Sequence, residues 1–336
     1  MRKAEIELEY QPYIDFLPVE PKALFTEACE NDVQTINAWR PIWEKNVKEN
    51  HEKFGPFSEK SIGRFFGAAH MQPVIIAGAG PSLKHNAHEL KNRGDIKLVS
   101  CLHNFHFLED SESPADFYVT LDAGDVTIEE VSEGGARTPD EYWALTKDRK
   151  LLAYIGTSPR LIEKWQGEVY FFNAPVPDDG FAKFCDSLET FNTFVSNGGN
   201  VLGACFYIAK AYMGASAIAF VGADFSFSYD KKFHGWNSKY DATLGNVMRV
   251  NDVFGIPVYT WKSYHNFKGW FECMASRVPG IYFNCSEGGT LGAYPQGNIR
   301  TIIQAPLKDF IRQMTMYSEI KEQAENPKTQ TLKLLF

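Results

Sequence analysis

Apolar residues follow two rhythms along this chain. Between Lys22 and Phe54 they recur at helical spacing, with Leu24, Phe25, Ala28, Val33, Ile36, Trp39, Trp43 and Val47 on one stripe. Pro41 is expected to break or kink this stretch into two helices. Trp39 and Trp43 are four residues apart, share a face and read as core packing. Residues 1–20 alternate only weakly (Ile6, Leu8, Tyr10) and carry Pro12 and Pro18, so they read as an arm or small hairpin. A short helix over Lys60–Phe66 follows Gly55-Pro56.

From Pro73 the rhythm changes to short, almost continuous apolar runs. These predict strands over Val74–Ala77, Lys97–Cys101, Phe117–Leu121, Leu151–Ile155, Val169–Phe172, Ala217–Gly222, Pro257–Trp261 and Ile281–Cys285. Helices are expected between them, notably over Lys84–Lys91, Pro159–Trp165, Asn200–Met213 and Tyr264–Arg277, with a last one over Leu307–Tyr317 before a polar end. Strands buried on both faces and alternating with helices define the fold class as α/β. The expected form is a Rossmann-like, doubly wound, mainly parallel sheet with an N-terminal helical extension. The expected division is 1–70 for the arm and extension, 71–304 for the α/β domain and 305–336 for the helix and tail. Ligands in such sheets bind at the carboxyl ends of the strands, which is where chemistry is sought.

The run PVIIAGAGPSL, Pro73–Leu83, is the clearest such end. A buried strand enters the turn Gly78-Ala79-Gly80, and Pro81 and Ser82 open a helix. Free N–H groups and the Ser82 hydroxyl could hold a phosphate there. Leu83 replaces the third glycine of G-x-G-x-x-G, and the next strand ends in Cys101-Leu102-His103-Asn104 with no acid for a ribose diol. A nicotinamide cofactor is therefore not expected. A second glycine turn, Gly198-Gly199-Asn200, begins another helix, and a following strand ends at Asp224. Asp122 and Asp125 stand just past a strand, as a magnesium pair or as turn and cap residues. His234 lies in the polar loop Phe233–Asn237 and is a candidate general base. Ser286-Glu287-Gly288-Gly289 is a further polar turn.

Composition narrows the class. A formal net charge of −8 argues against general nucleic-acid binding. The six cysteines form no C-x-x-C pair and sit mostly in apolar runs, which suits buried thiols in a reducing compartment. The start MRKAEIELEY has no apolar leader, and no segment reaches the roughly 18 apolar residues of a span. A cytoplasmic protein with no membrane span is expected.

In order, VIIAGAGPSLKHN, GGNVLGACFYIAKAYMGASAIAFVGADFSF, the His-Gly loop, IPVYTWKSYHNFKGWFE and NCSEGGT resemble the MptE-like domain superfamily. That superfamily includes archaeal 6-hydroxymethyl-dihydropterin diphosphokinase and the motility-accessory Maf glycosyltransferases, linked to nonulosonic-acid transfer onto flagellin. The resemblance runs from about Pro73 to Thr301. The preceding helical segment, with Trp43, Asn46 and Asn50, is similar to the Maf branch. A more distant similarity joins Gly78–Leu83 and Cys101–Asp110 to bacterial CMP-sialic-acid sialyltransferases, with Ala79 in place of an asparagine and a one-residue slip in the second stretch.

The resemblance implies a nucleotide-dependent transferase over 71–304, first a glycosyltransferase moving a nonulosonic acid from a CMP donor to a hydroxyl acceptor, with no cofactor required. His234, Asp122 and Asp224 would be catalytic. Gly78, Gly80, Pro81, Ser82, Asn104, Gly198, Gly199, Asn200, Glu287, Gly288 and Gly289 would bind the nucleotide. The alternative is a diphosphokinase using ATP and Mg, the metal held by Asp122 and Asp125. A catalytically silent nucleotide-binding domain is the third reading.

Overall fold

The computed structural model describes residues 21–176, 178–237, 247–294 and 297–325, and of 21–33 and 318–325 the backbone alone. The arm expected over 1–20 lies outside the described residues.

Eight strands form one sheet: β1 (Pro73–Ala77), β2 (Lys97–Cys101), β3 (Phe117–Thr120), β4 (Lys150–Tyr154), β5 (Glu168–Phe172), β6 (Ala217–Val221), β9 (Ile281–Asn284) and β10 (Ile302–Gln304). Every neighbouring pair in it is parallel. The spatial order is β10-β9-β6-β1-β2-β3-β4-β5. The chain thus lays β2 to β5 on one side of β1, then crosses back to set β6 on the other. β1 and β6 are buried along their whole length, as their unbroken apolar runs require of strands covered on both faces. Strand order reverses between them, so a crevice opens above their carboxyl ends.

The two remaining strands, β7 (Val247–Asn251) and β8 (Pro257–Trp261), make an antiparallel ribbon outside the sheet. Pro257–Trp261 was expected as a sheet strand. Its burial alternates where the sheet strands are continuously buried, which marks a one-sided ribbon. β10 takes the eighth place instead, and only three residues long it carries little pattern to read.

Helix α1 (Pro21–Phe54) runs unbroken through Pro41, against the expected break. Proline costs the helix one backbone bond, and contacts on both sides offset it. Arg40 bonds Glu44 and Asp178. Farther along, Asn46 Nδ2 donates to the carbonyls of Ala123 and Gly156, and Asn50 Nδ2 to those of Ile155 and Thr157. Trp43 packs on Phe181, ring centroids 5.9 Å apart. Trp39 stays 36% exposed, so the expected shared core face is kept by Trp43 alone.

Other helices are shorter than their apolar stripes suggest. Leu83–Asn86 is one turn followed by a tighter 3-10 segment, Ala87–Asn92, and Lys60–Phe66 resolves into two 3-10 turns, Phe57–Lys60 and Ile62–Phe65. The later helices used below are α2 (Phe105–Asp110), α3 (Asp179–Leu188), α4 (Val201–Tyr207), α5 (Lys262–Arg277) and α6 (Leu307–Glu325). Among the described residues no helix is long and apolar enough to cross a membrane.

Candidate functional site

The turns after β1 and β6 lock together at the switch point. Gly78 N–H donates to Val221 O and Gly80 N–H to Gly222 O, each at 2.8 Å. A Cβ on Gly78 or on Gly80 would stand 2.6 Å from Gly222 O, and one on Gly80 would also overlap the Asp224 carboxylate. Gly222 itself has φ +61°, in the left-handed region. These glycines are therefore required by the approach of two backbones. The expected ligand cradle in front of Gly78 and Gly80 is, on the Cβ side, filled by protein.

Asp224 sits at the centre of this junction and is 6% exposed. Its Oδ2 accepts from the Ser82 hydroxyl at 2.8 Å and from Ser82 N–H at 3.3 Å. Burial pushes its pKa up to about 6, with the two Ser82 bonds pulling the other way. The Ser82 donor, expected to face an anion, is thus occupied by a carboxylate. Gly289, φ +73°, packs against the Asp224 backbone, and Thr290 N–H donates to Asp224 O at 2.7 Å.

On one side of Asp224 lies a pocket of about 300 Å³, bounded by Gly78–Gly80, Cys101, His103, Asn200, His234 and the aromatic pair Tyr264 and Phe267 of α5. Two imidazoles line it, and their surroundings shift them in opposite directions. His103 Nδ1 is 3.0 Å from Glu130 Oε1 and Nε2 is 2.9 Å from Asn237 Oδ1. Burial lowers its pKa, but the Glu130 carboxylate and the Asn237 bond outweigh that, and the net shift is upward. His234 goes down, first through burial and then through repulsion from His103. Its ring rests 4.8 Å from the Trp261 ring. A pair of titratable groups driven apart in one pocket is the arrangement that separates an acid from a base. His103 was missed from the sequence. The stretch Cys101-Leu102-His103-Asn104 pointed to Asn104 and not to His103, whose partner Glu130 lies 27 positions away.

Asn104, expected at the nucleotide, is turned to protein partners. It is fully buried, and its Nδ2 donates to Ala77 O at 3.2 Å and Gly78 O at 3.0 Å. Its Oδ1 accepts from Trp236 Nε1 at 2.9 Å. Trp236 N–H donates to Ala79 O at 2.9 Å, and the Trp236 ring packs on His106 and Phe107 of α2. Asn104 and Trp236 are struts that hold the His234 loop against the β1 turn.

The second glycine turn reaches the pocket through Asn200, Val201 and Leu202. Asn200 caps α4 with Oδ1 on Gly203 N–H at 2.9 Å. Gly198 and Gly199, φ +57° and +86°, lie under Trp270 and Phe267 of α5, where a Cβ would collide with the rings. Across Asp224 a larger pocket of about 540 Å³ contains Pro81, Ser82, Glu287, Gly288 and Gly289. Glu287 Oε1 there accepts from Leu307 N–H at 3.3 Å and so secures the start of α6.

Asp122 and Asp125 line neither pocket. Asp122 Oδ1 accepts from Gly124 N–H at 2.8 Å, closing a turn, and burial, partly countered by that bond, raises its pKa. Asp125 accepts from Ser158 Oγ and Arg160, each at 2.6 Å, which together hold its pKa down. The two carboxylates are turned to different partners, so the expected magnesium pair does not fit. Among the described residues no three His, Cys, Asp or Glu side chains converge as metal ligands.

The fold and the crevice define a doubly wound α/β domain with its pocket at the switch between β1 and β6. The chain belongs to the MptE-like family, whose description is 6-hydroxymethylpterin diphosphokinase MptE-like and whose sequence profile matches residues 43–230. Among solved structures it is similar to the Maf glycosyltransferase from Magnetospirillum magneticum AMB-1, with a TM-score of 0.51 and 14% identity over 79% of this chain. The match spans 41% of that protein's length, and at this identity the likeness is one of fold. No curated protein matches the chain in sequence.

Proposed function

We propose that this protein is a nucleotide-dependent transferase, and within that class a glycosyltransferase that moves a nonulosonic acid from a CMP donor to a hydroxyl acceptor. The observation that carries the reading is the pair of imidazoles, His103 held toward its cation and His234 toward its neutral form, in one pocket at the switch point. The family and the Maf-like fold support it.

The donor occupies the pocket, its base against the flat faces of Tyr264 and Phe267. His103, whose surroundings favour its cation, lies beside the departing phosphate. The acceptor oxygen attacks the anomeric carbon, the bond from that carbon to the phosphate oxygen breaks, and CMP departs with the electron pair. His234 takes the acceptor proton, and the imidazole of His103, both its nitrogens held by Glu130 and Asn237, acts on the departing phosphate through its charge and not through a hydrogen bond. Asp224 orients hydroxyls at the pocket wall. Asp122, outside the pocket lining, drops out of the mechanism. A diphosphokinase reading would route through a magnesium site, and the aspartates proposed for that site do not fit it.

Titration calorimetry with CMP, CTP, AMP, ATP and GTP, each in EDTA and in magnesium, tests the reading. Cytidine nucleotides should bind tightest and equally well in EDTA. ATP binding that appears only with magnesium would replace this reading with the diphosphokinase one.

A further inference from the structure

The 540 Å³ pocket across Asp224 has a chemistry of its own. Its lining includes three carboxylates, Asp224, Asp230 and Glu287, and a single lysine, Lys84. The Lys84 ammonium lies 5.5 Å from the Phe233 ring centroid and 6.0 Å from that of Trp236, over their faces. An anionic ligand would meet three carboxylates there, set against Lys84 and His85 of the lining, with Lys232 4.0 Å from Asp230. Carboxylates only accept hydrogen bonds when ionised, so they call for a ligand rich in donors. Phe233, Trp236 and Tyr229 add flat apolar walls, with Tyr229 standing over Gly288 and donating to Asp252 at 2.5 Å. Asn86, also in the lining, gives Nδ2 to Cys285 O at 2.6 Å. That bond fixes the amide orientation, and its buried Oδ1 has no partner among the described residues. It is one more acceptor awaiting a donor. Flat apolar faces beside hydroxyl-accepting groups suit the C–H face and hydroxyl rim of a sugar. Asp224 and Gly235 line both pockets, so a ligand in each would meet at that wall.

We propose that this second pocket is the acceptor subsite, and that it takes an uncharged or amino-bearing carbohydrate. The assignment rests on the transferase reading above, since an acceptor needs a donor.

Saturation-transfer NMR on the full chain tests it, with methyl β-glucoside, methyl β-N-acetylglucosaminide, glucosamine and the methyl glycoside of sialic acid as probes, each with and without saturating CMP. A neutral or amino sugar should bind in the presence of CMP, and Phe233→Ala should weaken it at least tenfold. Tyr229→Ala, at a largely exposed position, should do the same and serves where Phe233→Ala fails to fold. Displacement of the sugar by CMP would show one shared pocket and overturn the proposal, as would binding of the anionic sugar alone. Sugar binding that depends on Phe233 in a protein that binds no CMP would remove the transferase reading and the acceptor role with it, leaving a carbohydrate pocket.

Discussion

The indole N–H of Trp236 donates to Oδ1 of Asn104 at 2.9 Å, while the Asn104 amide donates to the carbonyls of Ala77 and Gly78. One buried side chain thereby joins the end of β1 to the loop that carries His234. Both residues are almost inaccessible to water, so the pair is satisfied internally or not at all. Trp236→Phe keeps an aromatic ring but strands Oδ1. It should cost roughly 1–3 kcal/mol in urea denaturation. A loss under about 0.5 kcal/mol would show that the strut contributes little to stability.

Asp224 should impose a pH dependence on stability. Its pKa is about 6 in the folded protein and 3.8 in the reference state. The folded protein therefore holds the proton more tightly, and its stability falls as pH rises from about 4 through 6. Asp224→Asn removes the titrating group and keeps an oxygen for Ser82. The variant should match wild type near pH 4 and exceed it by about 2 kcal/mol at pH 8. Parallel stability curves at the two pH values would contradict this.

Much of the sheet was legible because β1, β2 and β6 are buried on both faces and so read as continuous apolar runs. In the β7–β8 ribbon, Pro257–Trp261 was legible as a strand but not as one outside the sheet, and β7 was not legible, since its half-exposed pattern differs little from a loop. In the site, the glycines were found but their reason was not. Gly80 answers to Asp224 and Gly222, more than 140 positions away, and no local spacing records that. Asn104 was singled out as a ligand contact because sequence shows the amide but not its partner Trp236. His103 was passed over for the same reason, its partner Glu130 being distant in the chain. Local chemistry is written in the sequence, and the pairing of distant polar groups is not.

Asp125 should matter to neither metal nor nucleotide. Its carboxylate is half exposed and already paired with Arg160 and Ser158. Asp125→Asn should change stability by less than about 1 kcal/mol, as exposed pairs usually do. Calorimetric CMP affinity should stay within about twofold of wild type, in EDTA and in magnesium alike. A tenfold, magnesium-dependent loss would return Asp125 to the site.

The two imidazoles set the shape of the pH–rate profile. Activity needs His234 neutral and His103 protonated. The rate should rise through a pKa below the ordinary 6.5 of histidine and fall through one above it. His103→Gln should abolish the alkaline limb and lower the plateau about tenfold. An alkaline limb that survives in His103→Gln belongs to another group.

The role proposed for His234 is to act on the transition state of a transfer reaction. A positioned base typically contributes ~10²–10⁴-fold to rate while adding little to ground-state binding. The decisive measurement is release of CMP from a CMP-nonulosonic-acid donor by wild type and His234→Ala, with nucleotide affinity measured on the same two proteins. That role predicts affinity within a few-fold and turnover lower by about two orders of magnitude or more. Turnover unchanged in a folded His234→Ala, or tight binding without turnover in wild type, would contradict it.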